Sequence, residues 1–79
     1  MVRVRLFAAL REVAGVAEVE VPAGPLSEIL AGLEDRFGGR FATVLGYASV
    51  LVDGGRGDLA TEVADGAEIA LLPPFSGGC

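Results

Sequence analysis

Polar and apolar residues alternate one for one at the start of this chain. Val2-Arg3-Val4-Arg5-Leu6-Phe7 has period two and predicts a half-buried strand with Val2, Val4 and Leu6 facing inward. Ala17-Glu18-Val19-Glu20-Val21 repeats the pattern with its glutamates outward. Paired antiparallel, the two strands set Arg3 and Arg5 opposite Glu20 and Glu18 on the solvated face. Such cross-strand charge pairs contribute a few tenths to about 1 kcal/mol. The connection from Ala8 to Val16 contains Ala-Leu-Arg-Glu-Val-Ala-Gly, which predicts a single helical turn stopped at Gly15.

The period then lengthens. Pro22 to Pro25 breaks the second strand, and Leu26, Ile29, Leu30, Leu33 and Phe37 follow at helical spacing as one apolar stripe. Pro25 suits the first helical position, where its missing N–H costs nothing. Glu28 in the first turn and Arg36 in the last both favour the helix dipole, and Gly38-Gly39 ends the helix. Ser49-Val50-Leu51-Val52-Asp53 predicts a third strand, Gly54-Gly55 a turn, and Arg56 to Ala60 a short edge strand. After the Asp65-Gly66 turn, Glu68-Ile69-Ala70-Leu71-Leu72 forms the last strand, closed by Pro73 because proline cannot continue a central ladder. The order ββαβ(β)β, with one amphipathic helix to cover one sheet face, predicts an α+β domain. Its first and last strands are expected as parallel neighbours in the middle of the sheet.

Length permits one domain, which at 79 residues buries only around 60% of the surface its unfolded chain exposes. Its hydrophobic content, 52%, supplies the economical core that this size requires. A single cysteine at the last position cannot staple the fold, so a reducing cytoplasm is the expected setting. Arg3, Arg5, Arg11 and Glu12 interrupt any apolar targeting segment, and the longest uncharged stretch, Phe41 to Val52, is too short to cross a bilayer. Net charge is −5, which opposes binding to phosphate backbones. Without histidine or a second cysteine, the usual zinc patterns and the Ser-His and Cys-His nucleophile pairs are excluded. The carboxylates, among them Asp53, Asp58 and Asp65, flank turns or alternate along strands and read as solvated surface. Chemistry, if any, is expected to be completed by a partner.

The final residues add a different signal. Pro73-Pro74-Phe75-Ser76-Gly77-Gly78-Cys79 is stiff, then apolar, then stripped of side chains, as expected of a tail threaded into another protein's site. Together with Leu-Phe-Ala-Ala-Leu-Arg-Glu-Val-Ala-Gly at 6–15 and the Asp65-Gly66 turn, this ending resembles the MoaD/ThiS family of ubiquitin-like sulfur carriers. The similarity spans essentially the whole chain. The Leu-Phe-Ala-x-x-Arg-Glu opening and the double proline are most similar to the small subunit of molybdopterin synthase; thiamine-pathway carriers are typically shorter and lack that proline pair.

The resemblance implies a β-grasp domain over 1–74 and a flexible tail over 75–79. It implies a carrier rather than an enzyme. An E1-like adenylyltransferase of the MoeB/ThiF type would use ATP to adenylate the Gly78 carboxylate, which becomes a thiocarboxylate and donates sulfur. The acceptor would be held by a MoaE-like large subunit in molybdopterin synthesis. No bound cofactor, metal, nucleic acid or membrane is implied. Gly77 and Gly78 would enter a narrow tunnel, with Phe7, Leu72, Pro73, Pro74, Phe75 and Ser76 contacting partners. Strand phase agrees in turning Phe7 and Leu72 outward, although Phe7 folded under the first loop as core is the alternative. Arg56 stands where the family tends to have an apolar residue.

Cys79 departs from the family, because it places the Gly78 carboxyl in an amide bond. Three readings stand: a cap removed by a protease (a JAMM-type zinc enzyme in some related carriers), a thiol that itself carries persulfide sulfur, or an inert last residue. Other classes of function also stay open: a processed carrier for cysteine, thiamine or secondary-metabolite synthesis, or a ubiquitin-like modifier or binding module that delivers no sulfur.

Overall fold

A computed structural model describes residues 1–74. Its centre is a five-stranded mixed sheet in the order β2-β1-β7-β4-β5, formed by β1 (Val2–Leu6), β2 (Glu18–Val21), β4 (Ser49–Val52), β5 (Gly55–Arg56) and β7 (Glu68–Leu72). A separate two-residue ladder joins β3 (Gly24–Pro25) to β6 (Glu62–Val63). Strands β1 and β7 are parallel and central, in the register Leu6↔Leu71. The predicted hairpin forms in the predicted register, with Arg3 opposite Glu20 and Arg5 opposite Glu18. The ion pairs of these arginines run diagonally, however, with Arg3 Nε 3.7 Å from Glu18 Oε2 of β2 and Arg5 Nη1 3.6 Å from Glu68 Oε2 of β7. Long side chains reach diagonal neighbours as readily as the residue opposite.

Between β1 and β2 lies α1 (Ala8–Ala14), two turns rather than the single turn expected. Gly15 ends it as foreseen: at φ 80 it takes the left-handed conformation and donates its N–H to the Arg11 carbonyl at 2.9 Å. The main helix α2 (Leu26–Phe37) carries its apolar stripe inward, burying Leu26, Ile29 and Leu33. Pro25 stands one position earlier than predicted, as the extended N-cap at φ −64 and ψ 140. Gly38, at φ 93, does stop α2, but a third helix, α3 (Gly39–Leu45), starts immediately after it. That helix inserts Phe41 and Leu45 into the core. The expected edge strand at 56–60 shortens to Gly55–Arg56, because the chain beyond turns back on itself. There Asp58 Oδ1 accepts from the Ala60 N–H at 2.8 Å, and the Asp58 N–H donates to Thr61 Oγ1 at 2.9 Å.

All three helices lie against the sheet face that presents Val2, Val4, Leu6, Ile69 and Leu71, each 2% exposed or less. Leu10 of α1, Leu33 of α2 and Phe41 of α3 close the core from the other side, and no polar side chain is buried among the described residues. This is the α+β, β-grasp arrangement, with two short helices beside the main one. Among the described residues no helix is long and apolar enough to cross a membrane.

Candidate functional site

The sheet face opposite the helices carries the candidate site. Strand alternation sends Arg3, Arg5, Ser49, Leu51, Arg56, Glu68, Ala70 and Leu72 to that face. The cross-strand pairs Ser49↔Leu72, Leu51↔Ala70 and Leu51↔Arg56 fix their positions. Leu51, Ala70 and Leu72 are half-buried, and they form an apolar strip that no helix covers.

Phe7 sits one step beyond Leu6 in extended conformation (φ −124, ψ 152) and is the N-cap of α1. Its carbonyl accepts the Leu10 N–H at 3.1 Å. The ring lies 5.7 Å from the Arg5 guanidinium carbon, within the range of a cation–π contact. Phe7 is therefore half-buried on the outward side, not folded under the loop as core. Since Leu6 pairs with Leu71, Phe7 and Leu72 occupy successive steps at the same end of the two central strands.

A surface groove of about 590 Å³ opens beside the end of β7. Leu51, Leu72, Pro73 and Pro74 supply apolar lining, and Arg56 and Gly57 the opposite rim. Gly57 is pressed close: a Cβ there would stand 2.7 Å from Val52 Cγ2 and 3.2 Å from Leu26 Cδ2. Its N–H donates to the Val50 carbonyl at 3.2 Å, which holds the rim against β4. The structure thus brings Leu72, Pro73, Pro74 and Arg56 together at one groove and places Phe7 at the same end of the sheet. Phe75, Ser76, Gly77, Gly78 and Cys79 lie outside the described residues.

Leu51, Ser49 and Gly57 were not singled out from the sequence. Alternation through Ser49-Val50-Leu51-Val52 carried the signal for Leu51, because Val50 and Val52 pair with the core residues Leu71 and Ile69. Asp53 braces the sheet instead of reaching the groove. At φ 51 it donates its N–H to the Glu68 carbonyl (2.8 Å) and accepts the Glu68 N–H on Oδ1 (3.0 Å). The Met1 amino group pairs with Asp65, tying the chain start to the last turn. Among the described residues no group of three or more histidine, cysteine, aspartate or glutamate side chains is placed to hold a metal ion.

Comparison with known proteins places this geometry in context. The sequence profile of the ThiS family matches residues 4–78. The chain is 32% identical to small archaeal modifier protein 1 (SAMP1) of Haloferax volcanii, with 98% of each chain covered and a TM-score of 0.81. It is 31% identical to a chain in the complex of subunits 1 and 2 of the molybdopterin-converting factor from Helicobacter pylori 26695, covering 98% of this chain and 97% of that one at a TM-score of 0.74. A chain of the BexX/CysO complex of Amycolatopsis orientalis shares 28% identity over 99% of this chain and 100% of its own, with a TM-score of 0.82. Among curated protein sequences none matches.

Proposed function

The chain belongs to the ThiS family, and from that premise we propose that it is a sulfur carrier whose working end is Gly78, most specifically in molybdopterin synthesis. The observation that carries the reading is the continuity of β7, a central strand, into Pro73 and Pro74 directly beside the uncovered apolar groove, with Phe75-Ser76-Gly77-Gly78 following in the sequence. A strand fixed on both sides anchors the base of the tail, and the two prolines limit the backbone freedom lost when the tail is threaded. The groove and Phe7 supply a docking shoulder of the small, apolar-centred and polar-rimmed kind that protein partners use.

In this reading water first cleaves the Gly78–Cys79 amide, with a partner protease, releasing cysteine and leaving the Gly78 carboxylate. One carboxylate oxygen attacks the α-phosphorus of ATP held by an E1-like adenylyltransferase, and pyrophosphate leaves. A sulfide-level nucleophile then displaces AMP at the carbonyl carbon and leaves a thiocarboxylate. That sulfur displaces an oxygen leaving group from an electrophilic carbon of the acceptor, and hydrolysis of the resulting thioester returns the Gly78 carboxylate and leaves the sulfur on the acceptor as a thiol. Gly77 and Gly78 have no Cβ and so fit a narrow channel. Leu72, Pro73, Pro74, Phe75, Ser76 and Phe7 hold the partner. Arg56, at the groove rim, suits an acidic or carbonyl-bearing surface where an apolar one is the family's tendency.

The Helicobacter pylori complex supports a two-subunit partnership in molybdopterin synthesis, and the BexX/CysO complex supports the pairing of such a carrier with a different partner. A second reading, conjugation of Gly78 to another protein's amine, is favoured by the similarity to small archaeal modifier protein 1. Both run through the same acyl-adenylate and part only at the nucleophile. Gly78→Ala in a chain ending at residue 78 tests them jointly: it should leave the fold intact and stop sulfur delivery to a reconstituted two-subunit synthase. Undiminished delivery by the variant would refute the threaded-tail chemistry, and amide-linked adducts in place of sulfur product from the unsubstituted chain ending at Gly78 would favour conjugation.

A further inference from the structure

The second edge of the sheet offers a site that the carrier reading does not use. Strand β2 is the outermost strand beside β1, and among the described residues no strand lies beyond it. The Leu6 N–H donates to the Ala17 carbonyl at 2.8 Å, whereas the Arg3 N–H turns the other way, to Ala67 at 3.1 Å. Hydrogen-bonded pairs in an antiparallel ladder recur every second residue, so Val19 and Val21 face β1. The backbone N–H and C=O groups of Glu18 and Glu20 therefore point away from the sheet and are free to pair.

Alongside that edge a groove of about 330 Å³ runs between β2 and α2. Val21, Ile29 and Leu33 give it an apolar floor, and Gly32 opens its wall, since nothing lies within 4 Å of where a Cβ would stand. Glu28 and Arg36 border it, about 12 Å apart by the helical rise.

We propose that this edge and groove together bind an extended segment of a partner protein in which basic and aliphatic residues alternate. Added beside β2, such a segment would bond the free groups of Glu18 and Glu20. The residues opposite them fall on the glutamate face, where lysine or arginine complements the Glu20 carboxylate and shares Glu18 with Arg3. The intervening residues point to the α2 side, into the apolar groove. Glu20 has no ion pair among the described residues, so its charge is available.

A second copy of this chain is the wrong occupant. Antiparallel pairing of β2 with itself about Val19 sets Glu18 against Glu20 of the other copy twice, and like charges directly opposite repel. The site is also separate from the tail: β2 is two strands from β7, and Val21 and Pro22 lie at the end of the sheet where β7 begins. A bound segment leaves the groove beside Leu72 clear.

The test is a titration of the isotope-labelled full chain with a short blocked peptide of alternating lysine and valine, followed by amide chemical shifts. Saturable shifts at Glu18, Glu20 and Ile29–Arg36 are expected, with Kd between about 10 μM and 1 mM. Gly32→Leu should keep a dispersed spectrum and an undiminished Tm but weaken binding about tenfold or more, by filling the groove. Glu20→Lys should weaken it at least about threefold. Shifts confined to the Leu51–Leu72 face, or no saturable shift, would overturn the proposal. So would equal affinity for a peptide of the same composition with its lysines grouped at one end.

Discussion

Adding one methyl group at Gly57 should destabilise the fold sharply, and for a reason of space rather than backbone conformation. A Cβ there would meet Val52 Cγ2 at 2.7 Å and Leu26 Cδ2 at 3.2 Å, the first closer than real Cβ contacts come. Neither neighbour yields cheaply: Val52 is β-branched and stiff at χ1, and Leu26 is 1% exposed in the core. Overpacking of this kind costs about 1–3 kcal/mol. For a domain of this size that lowers Tm by roughly 5–20 °C. The assay is thermal unfolding by circular dichroism for Gly57→Ala, Val52→Ala and the double variant. Removing the Val52 methyls relieves the closer contact, so the double variant should lose less than the sum of the two single losses. Additive losses, or a Gly57→Ala protein as stable as the parent, would refute the packing argument and the rigid groove rim drawn from it.

Phe41 is fully buried, and its ring lies 5.1 Å, centroid to centroid, from that of Phe37 at a tilt of 42°. Phe41→Ala should cost about 3–5 kcal/mol, much of the stability of a domain this small, and should appear as a large fall in the denaturant midpoint. Leu51→Asp should leave a folded, monomeric spectrum, because the side chain lies on the uncovered face. It should nevertheless weaken binding to an adenylating partner about tenfold or more by calorimetry; unchanged affinity would move the docking surface elsewhere. Asp53→Ala removes the Oδ1 acceptor of the Glu68 N–H and should cost about 0.5–1.5 kcal/mol in chemical denaturation.

What the sequence made legible follows the strength of its periodic patterns. Alternation along Val2–Leu6 and Glu18–Val21 was enough for strand, facing and register, because a shift of one residue would have turned Val2, Val4 and Leu6 to solvent. The stripe from Leu26 to Phe37 gave the main helix for the same reason. The helix Gly39–Leu45 escaped because Gly38 and its own first residue, Gly39, read together as a stop. Gly38 is one, and the chain starts again at Gly39; Phe41, Val44 and Leu45 keep helical spacing, but seven residues make too short a window against that signal. The β3–β6 ladder is two residues long on each side and has no period to detect. At the site, Phe7 and Leu72 followed from strand phase. Leu51 has the same strand phase, but its neighbours Val50 and Val52 are apolar too, so its outward side stood out only once paired with Ala70 and Arg56; the close approach of Gly57 to Val52 is a tertiary fact that no local pattern encodes.

The sulfur delivery proposed for this chain turns on one bond, between Gly78 and Cys79, and intact-protein mass spectrometry of the chain purified from its native host reads it directly. The active pool should have lost Cys79 and should carry sulfur in place of one oxygen on the Gly78 carboxyl group. A pool that delivers sulfur while retaining Cys79, with no sulfur replacement at Gly78, would contradict the carrier chemistry.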